Sequence, residues 1–475
     1  MKIKIENYEN MTPEEKLAAL EAYDPEQDGF VAKAVFDKKA SEASDLSKQL
    51  KARMTDDEAK AAKDAEERAS LLARVEELER EKAVNTYATA YLAMGYDEKL
   101  AKATAEAVAK GDMNTVFANQ KTFNEAREKA LKAEYEEYVK SIKNVWGNNN
   151  MREDTKKEWV EYGKDKKSRS IVDFEKGKVR IEVALDNANE NNPKVIEEKM
   201  SQAIESLLKS KGSTIPFEST VDKKKNVSKT PIMEGLVNIK NYEEGIKKEK
   251  LKSPSKNDEA KVIAKVIAKE TPKQTTRIRG NDKKERKVVA VEMDLVPDKL
   301  SKCAAQYKND VKRYSSTFKI EQPLIFAVIE QESSFNPKAV SPVKAYGLMQ
   351  LMPKLGGLDA YRYVYKKNEA PSPSYLFVPH QNIELGTAYL RILMNLFSKV
   401  EDPDCRRLCA IAAYNTGAGN VCRAFTGKTN ISQAVKEINK YSYSELYNYL
   451  TKRLHADEAR KYVSGVSKKR EKYMK

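Results

Sequence analysis

Apolar residues recur with helical spacing through the first and last parts of the chain and with strand spacing only in the middle. Residues 12–140 are rich in Ala, Glu and Lys, hold no proline after Pro25 and show no alternation of period two, which predicts helix throughout. Leu46, Leu50, Met54, Leu71, Leu72, Val75 and Leu78 form an irregular apolar stripe amid charge, the pattern of a coiled coil or a long solvated helix. Tyr87, Tyr91, Leu92, Gly95 and Tyr96 then open a compact helical piece ending at Phe123. Near Trp146 the texture changes. SIVDFEKGKVRIEV (170–183) alternates on both sides of Lys176 and Gly177 and predicts a hairpin; KVVAVEMDLVP (287–297) predicts a further strand, and KVIEEKMSQAIESLLKS an amphipathic helix between them. From Asp298 the pattern is helical again, broken at SPVKAYG, APSPS and NTGAG. The expected architecture is multidomain and mainly α: an acidic helical arm (1–140), a small α+β domain (141–297) with a poorly ordered Lys-rich insertion at about 245–285, and a helical domain (298–475).

The last unit holds the candidate chemistry. In EQPLIFAVIEQESSFNP (321–337), Pro323 suits the first helical turn and Asn336–Pro337 the stop. On a helical wheel Glu332 falls in the middle of the face made by Leu324, Ile325, Val328 and Ile329, whereas Glu330 points the opposite way and is expected in solvent. A carboxyl pressed against apolar surface resists ionisation, so Glu332 is a candidate general acid. AVSPVKAYGLMQLMP adds Gly347, which permits close backbone approach, then Met349, a core candidate by its type, and Gln350, an amide expected at the start of another helix. CAIAAYNTGAG contributes Tyr414 and Asn415 at a helix end, and EARKYVSGV contributes Tyr462.

Charge sharpens the division. Residues 1–140 carry 23 Lys and Arg against 30 Asp and Glu, so the arm is −7 and the remainder +22 of the overall +15. A basic surface of that kind attracts polyanions, including an anionic cell wall; no groove-reading or base-stacking motif accompanies it, and no nucleic-acid partner is expected. No apolar run approaches the roughly 18 residues of a membrane-spanning helix, residues 1–11 lack a secretory apolar core, and the first cysteine is Cys303. Cys405 and Cys409 lie one helical turn apart; a Cys303–Cys422 bridge is conceivable, but free buried thiols are expected. With two histidines and no CxxC, neither a metal nor a nucleotide cofactor is implied.

In their order and spacing ESSFNP, YGLMQLMP and AYNTGAG resemble the three motifs of the lytic transglycosylase family with its goose-lysozyme-like helical domain. The likeness continues through LFVPHQNIELGTAYL and EARKYVSGV, and upstream through NVWGNNN, the hairpin and VEMDLVP, which are similar to a membrane-bound branch of that family over about 143–475. It implies a peptidoglycan substrate and non-hydrolytic cleavage between N-acetylmuramic acid and N-acetylglucosamine, with a 1,6-anhydro product. It further implies Glu332 as sole acid and base, Ser333 steadying it, and Gly347, Met349, Gln350, Tyr414, Asn415 and Tyr462 binding substrate. A glycosidase with two carboxyls is the competing chemistry, for which Glu384 and Asp359 are the available partners. Action at the cell envelope follows from the substrate, although residues 1–11 offer no export signal. Residues 90–123 resemble tailed-phage head scaffolding proteins, which raises the alternative of a phage-related assembly protein carrying a muramidase or glycan-binding domain, self-associating through its helical arm.

Overall fold

The structure is a computed structural model that describes residues 10–21, 33–52, 56–217, 219–222, 225–252 and 259–474. Met54 of the predicted stripe and residues 1–9 of the segment read as lacking a secretory apolar core lie outside them. The chain divides into two compact units, Met1–Glu128 and Lys129–Lys475.

The first unit contains α1 (Pro13–Glu21), α2 (Lys33–Lys51), α3 (Asp56–Ala93), α4 (Glu98–Lys110) and the start of α5 (Met113–Trp146). Asp97 caps α4 by accepting from Leu100 N at 2.9 Å, and Gly111 closes it in the left-handed conformation that a side chain would strain. Tyr96 stacks on Phe123 with ring centroids 3.9 Å apart, which makes the compact piece anticipated between Tyr87 and Phe123. The α3 stripe is different. Leu71, Leu72, Val75 and Leu78 are exposed, so among the described residues no coiled-coil seam within the chain covers them.

In the second unit β1 (Glu158–Tyr162), β2 (Ser168–Asp173), β3 (Lys178–Leu185), β4 (Gln274–Arg279) and β5 (Glu285–Asp294) form an antiparallel sheet ordered β1-β2-β3-β5-β4. The predicted hairpin is β2–β3, turning through Gly177 at φ 72°, and the predicted later strand is β5. Alternation along β3 sends Val179, Ile181, Val183 and Leu185 to the main core, beneath α6 (Pro193–Lys209). Ala184 goes to the opposite face, where it joins Val288 and Ile278 beneath Trp146 of α5. The expected disorder at 245–285 is overturned: α7 (Glu243–Lys252), α8 (Glu259–Glu270) and β4 occupy it, and only residues 253–258 lie outside the description. Its lysines concealed an amphipathic repeat, KVIAKVIAK, whose Ala264, Val266, Ile267 and Ala268 are buried.

The core continues without a break into the helical domain. There α9 (Lys299–Phe318), α10 (Gln322–Ser333), α11 (Gly356–Tyr365), α12 (Pro373–Leu376), α13 (Pro379–Leu396), α14 (Pro403–Thr416), α15 (Ala418–Thr426), α16 (Ile431–Ile438), α17 (Tyr443–Arg453) and α18 (Asp457–Met474) form the bundle, in which α10 packs chiefly against α18 and α9. Cys303, Cys405, Cys409 and Cys422 are buried free thiols.

Candidate active site

Apolar residues cover α10 on almost every side, and a helix apolar all round becomes the centre of a bundle rather than its surface. That overturns one expectation. Glu330 is not solvated; it is 8% exposed, accepting from Lys472 Nζ at 2.9 Å and Tyr473 Oη at 2.5 Å, because α18 lies across the face that the wheel assigned to water. Glu332, 7% exposed, has no ion pair among the described residues.

Glu332 lies in a cleft of about 450 Å³ that is also lined by Gln350, Tyr389, Tyr414, Asn415, Lys156 and Glu458. Among the described residues no ion pair ends on its carboxyl. Desolvation raises its pKa to about 7; Lys156, the Tyr462 hydroxyl and Lys157 pull the other way, and Glu458 adds to the rise. Tyr462 is buried against Glu332, yet its hydroxyl has no partner within hydrogen-bonding geometry, so it contributes proximity rather than a formed bond.

The chain turns sharply where α10 ends. Ser334 and Phe335 have φ of 51° and 67°, and further along Lys344 and Gln350 are also positive, at 60° and 49°. Four of the eight non-glycine residues with positive φ among the described residues thus fall between 334 and 350, and one of them, Gln350, lines the cleft. Gly347, at φ 75°, has the backbone carbonyl of Leu376 where a Cβ would sit, 2.3 Å away, so the predicted close approach is real.

The segment after Gly347 is a tight turn closed by Tyr346 and Leu351, not the helix start expected at Gln350. Several predicted residues serve to hold this turn. Ser333 Oγ lies 2.8 Å from Leu348 O and 3.0 Å from Ile329 O, so it pins the turn to α10 instead of bonding the Glu332 carboxyl. Tyr414 Oη donates to Met349 O at 2.8 Å. The Met349 side chain is fully buried against Gly386 and does not line the cleft, which removes it as a side-chain substrate contact. Gln350 Nε2 donates to Ala339 O and Gly347 O at 3.1 and 2.9 Å, leaving Oε1 as a buried acceptor without a partner beside Glu332. A donor on a bound ligand would satisfy it. Asn415 lines the cleft one residue beyond Tyr414.

Sequence reasoning missed four contributors. Asn382, fully buried, accepts from Met349 N at 2.7 Å and donates to Tyr346 O and Leu376 O at 2.9 and 2.8 Å, fixing both sides of the turn; it stands inside LFVPHQNIELG, where an amide amid apolar residues was the available signal. Lys157, from the segment before β1, donates to Gln331 O at 2.9 Å, Ser334 Oγ at 3.1 Å and Glu330 O at 3.3 Å, closing the C-terminus of α10 with a cation where the helix dipole favours one. Desolvation lowers the Lys157 pKa to about 8. Lys156 and Glu458 meet at the cleft, Nζ to Oε1 3.5 Å. No local sequence signal pairs residues three hundred positions apart. The carboxyls considered as partners from sequence are elsewhere: Glu384 accepts from Tyr365 Oη at 2.5 Å and Asp359 is an exposed neighbour of Arg362.

Residues 310–436 match the transglycosylase SLT domain, and residues 124–306 match the N-terminal domain of membrane-bound lytic murein transglycosylase C. Membrane-bound lytic murein transglycosylase C of Klebsiella pneumoniae is 32% identical over 340 residues, 71% of this chain and 87% of that protein, and the Salmonella typhimurium protein of the same name has the same identity and coverage. The 70-kDa soluble lytic transglycosylase of Escherichia coli is 28% identical over 35% of this chain, with a TM-score of 0.27, and the chain spans 24% of that enzyme. None of these matches supports the scaffold likeness expected for residues 90–123 or the phage-related alternative. Both halves of the Lys129–Lys475 unit fall within matches to one kind of protein, and the chain belongs to the lytic murein transglycosylase family, as a peptidoglycan lytic transglycosylase.

Proposed function

We propose that Glu332 acts alone as acid and base in cutting the β-1,4 bond between N-acetylmuramic acid and N-acetylglucosamine. The observation that carries this reading is a buried carboxyl, pKa raised to about 7 and without an ion-pair partner among the described residues, in a cleft that also presents the amides of Gln350 and Asn415 and the phenols of Tyr389 and Tyr414. A protonated Glu332 gives its proton to the glycosidic oxygen as the bond from C1 breaks. The resulting carboxylate takes the proton of the muramyl C6 hydroxyl as O6 bonds to C1, which closes the 1,6-anhydro ring and restores the acid. Gln350 Oε1 and Asn415 are suited to hold sugar amides and hydroxyls, while Ser333, Gly347, Met349 and Tyr414 shape the turn that presents Gln350. Tyr462, buried close to Glu332, is suited to bond the carboxyl once substrate draws the two together. The substrate places the reaction at the cell envelope, and no helix among the described residues is long and apolar enough to cross a membrane. The exposed α3 stripe supports self-association through the arm, which sedimentation of the full chain would detect.

Hydrolysis is the second reading, because Glu458 is another carboxyl lining the cleft and a water-activating base would have to be such a group. Mass spectrometry of digested sacculi separates the two. Anhydromuropeptides as the main product support the first; reducing-end muramic acid as the main product overturns it.

A further inference from the structure

Lys156 and Glu458 line the cleft from two different parts of the chain. Lys156 belongs to the segment leading into β1 of the α+β domain, and its neighbour Lys157 is bonded to the end of α10. Glu458 lies in the first turn of α18, four residues before Tyr462 and hence on the same face of that helix. Their ion pair, 3.5 Å long, lies in the cleft that Glu332 also lines, with Lys156 35% and Glu458 73% exposed at the side chain.

We propose that this pair, resting on the assignment of Glu332 as the acid, sets the protonation balance of Glu332 from two opposing directions. Lys156 stabilises the carboxylate left when the proton departs to the glycosidic oxygen, and Glu458 holds the ammonium partly away so that the acid can re-form. Both are positioning residues acting through Glu332. The two charges act in opposite senses: the Lys156 ammonium favours the Glu332 carboxylate, and the Glu458 carboxylate favours the protonated acid. The ionisable groups facing Glu332 are Lys156 and Lys157 from the segment before β1, Tyr414 from α14, and Glu458 and Tyr462 from α18, and of these the partly exposed pair is the one free to rearrange when glycan enters.

The test is the pH profile of anhydromuropeptide release by the full chain. Turnover requires protonated Glu332, so the rate falls on the alkaline side. Lys156→Met, with Lys156→Gln as a second neutral variant, is expected to move that fall to higher pH, and Glu458→Gln to lower pH, each by up to the order of one unit. Lys156→Arg is expected to keep the parent profile, and added salt to shrink both shifts, since the pair is solvent-accessible. A merely structural pair would change melting temperature and leave the profile in place. Unshifted profiles, or shifts in the same direction for Lys156→Met and Glu458→Gln, would overturn the inference while leaving Glu332 as the acid. Turnover retained in Glu332→Gln would overturn the assignment of Glu332 itself.

Discussion

Two glutamates in this protein are equally buried, at 7% exposure, and behave in opposite ways. Glu182, on β3, is also desolvated, but Arg169 and Arg180 outweigh that cost. Arg169 Nε donates to it at 2.5 Å and Arg180 Nε at 2.7 Å, and the pKa is lowered. The Arg169 guanidinium is itself fixed, 4.0 Å over the Trp146 ring and bonded to Asn150 O. Glu332 has the same burial and, among the described residues, no ion pair, so desolvation prevails and the carboxyl stays protonated up to about pH 7. Burial alone therefore does not make an acid. What separates a structural carboxylate from a proton donor is whether the fold delivers a cation to it, and at Glu332 it delivers Lys156 and Lys157 only to the vicinity.

The comparison breaks most visibly at the reacting carboxyl. Glu332→Gln removes the proton and is expected to cost about 10²–10⁴-fold in anhydromuropeptide release, the usual contribution of general acid–base catalysis. Next, Arg169→Met should leave Glu182 buried with half its partners and destabilise the α+β domain by about 3–5 kcal/mol, read as a lower denaturant midpoint. Stability against pH then sharpens the contrast. The Glu332 pKa is raised from 4.5 to about 7, so the folded state holds a proton that the unfolded chain has released, and stability falls by about 3 kcal/mol as pH rises between those values. Glu182 has the reverse sign: its contribution is present above the unfolded pKa and is lost as pH falls through the lowered folded value. Glu332→Gln should accordingly be more stable than the parent at pH 8 and similar to it at pH 4, which denaturation at the two pH values checks. Tyr414→Phe, which strands Met349 O, is expected to cost about 1–3 kcal/mol and to lower turnover by loosening the Gln350 turn. The smallest effect is expected at Glu330→Gln, about 1 kcal/mol in melting with turnover retained, since Lys472 and Tyr473 hold it away from the cleft.

Much of this was legible in the chain itself. The apolar face beneath Glu332, the hairpin about Gly177 and the helix at 194–210 are local patterns, and local patterns survive folding. The placement of Glu330 was not legible, because a helical wheel shows which residues share a face but not how many faces a bundle will cover. Lys156, Lys157 and Glu458 escaped for a related reason: their role exists only where the α+β domain meets α10 and α18, and no spacing along the chain encodes that meeting. Composition misled at 245–285, where lysines on the outer side of α8 outweighed the apolar side in the count while leaving it intact in the pattern.

The ammonium of Lys157 gives the architecture a consequence for engineering. Three acceptors at the end of α10 are satisfied by a side chain that precedes them by more than 170 positions. The helical half is thus not a freely interchangeable cassette: a version begun at Asp298, or transplanted behind a foreign partner, would keep the Ser334 N–H bond to Glu330 O but lose the side-chain donor to Gln331 O and Ser334 Oγ, so its reactive helix is expected to hold its end less firmly unless another donor takes that place.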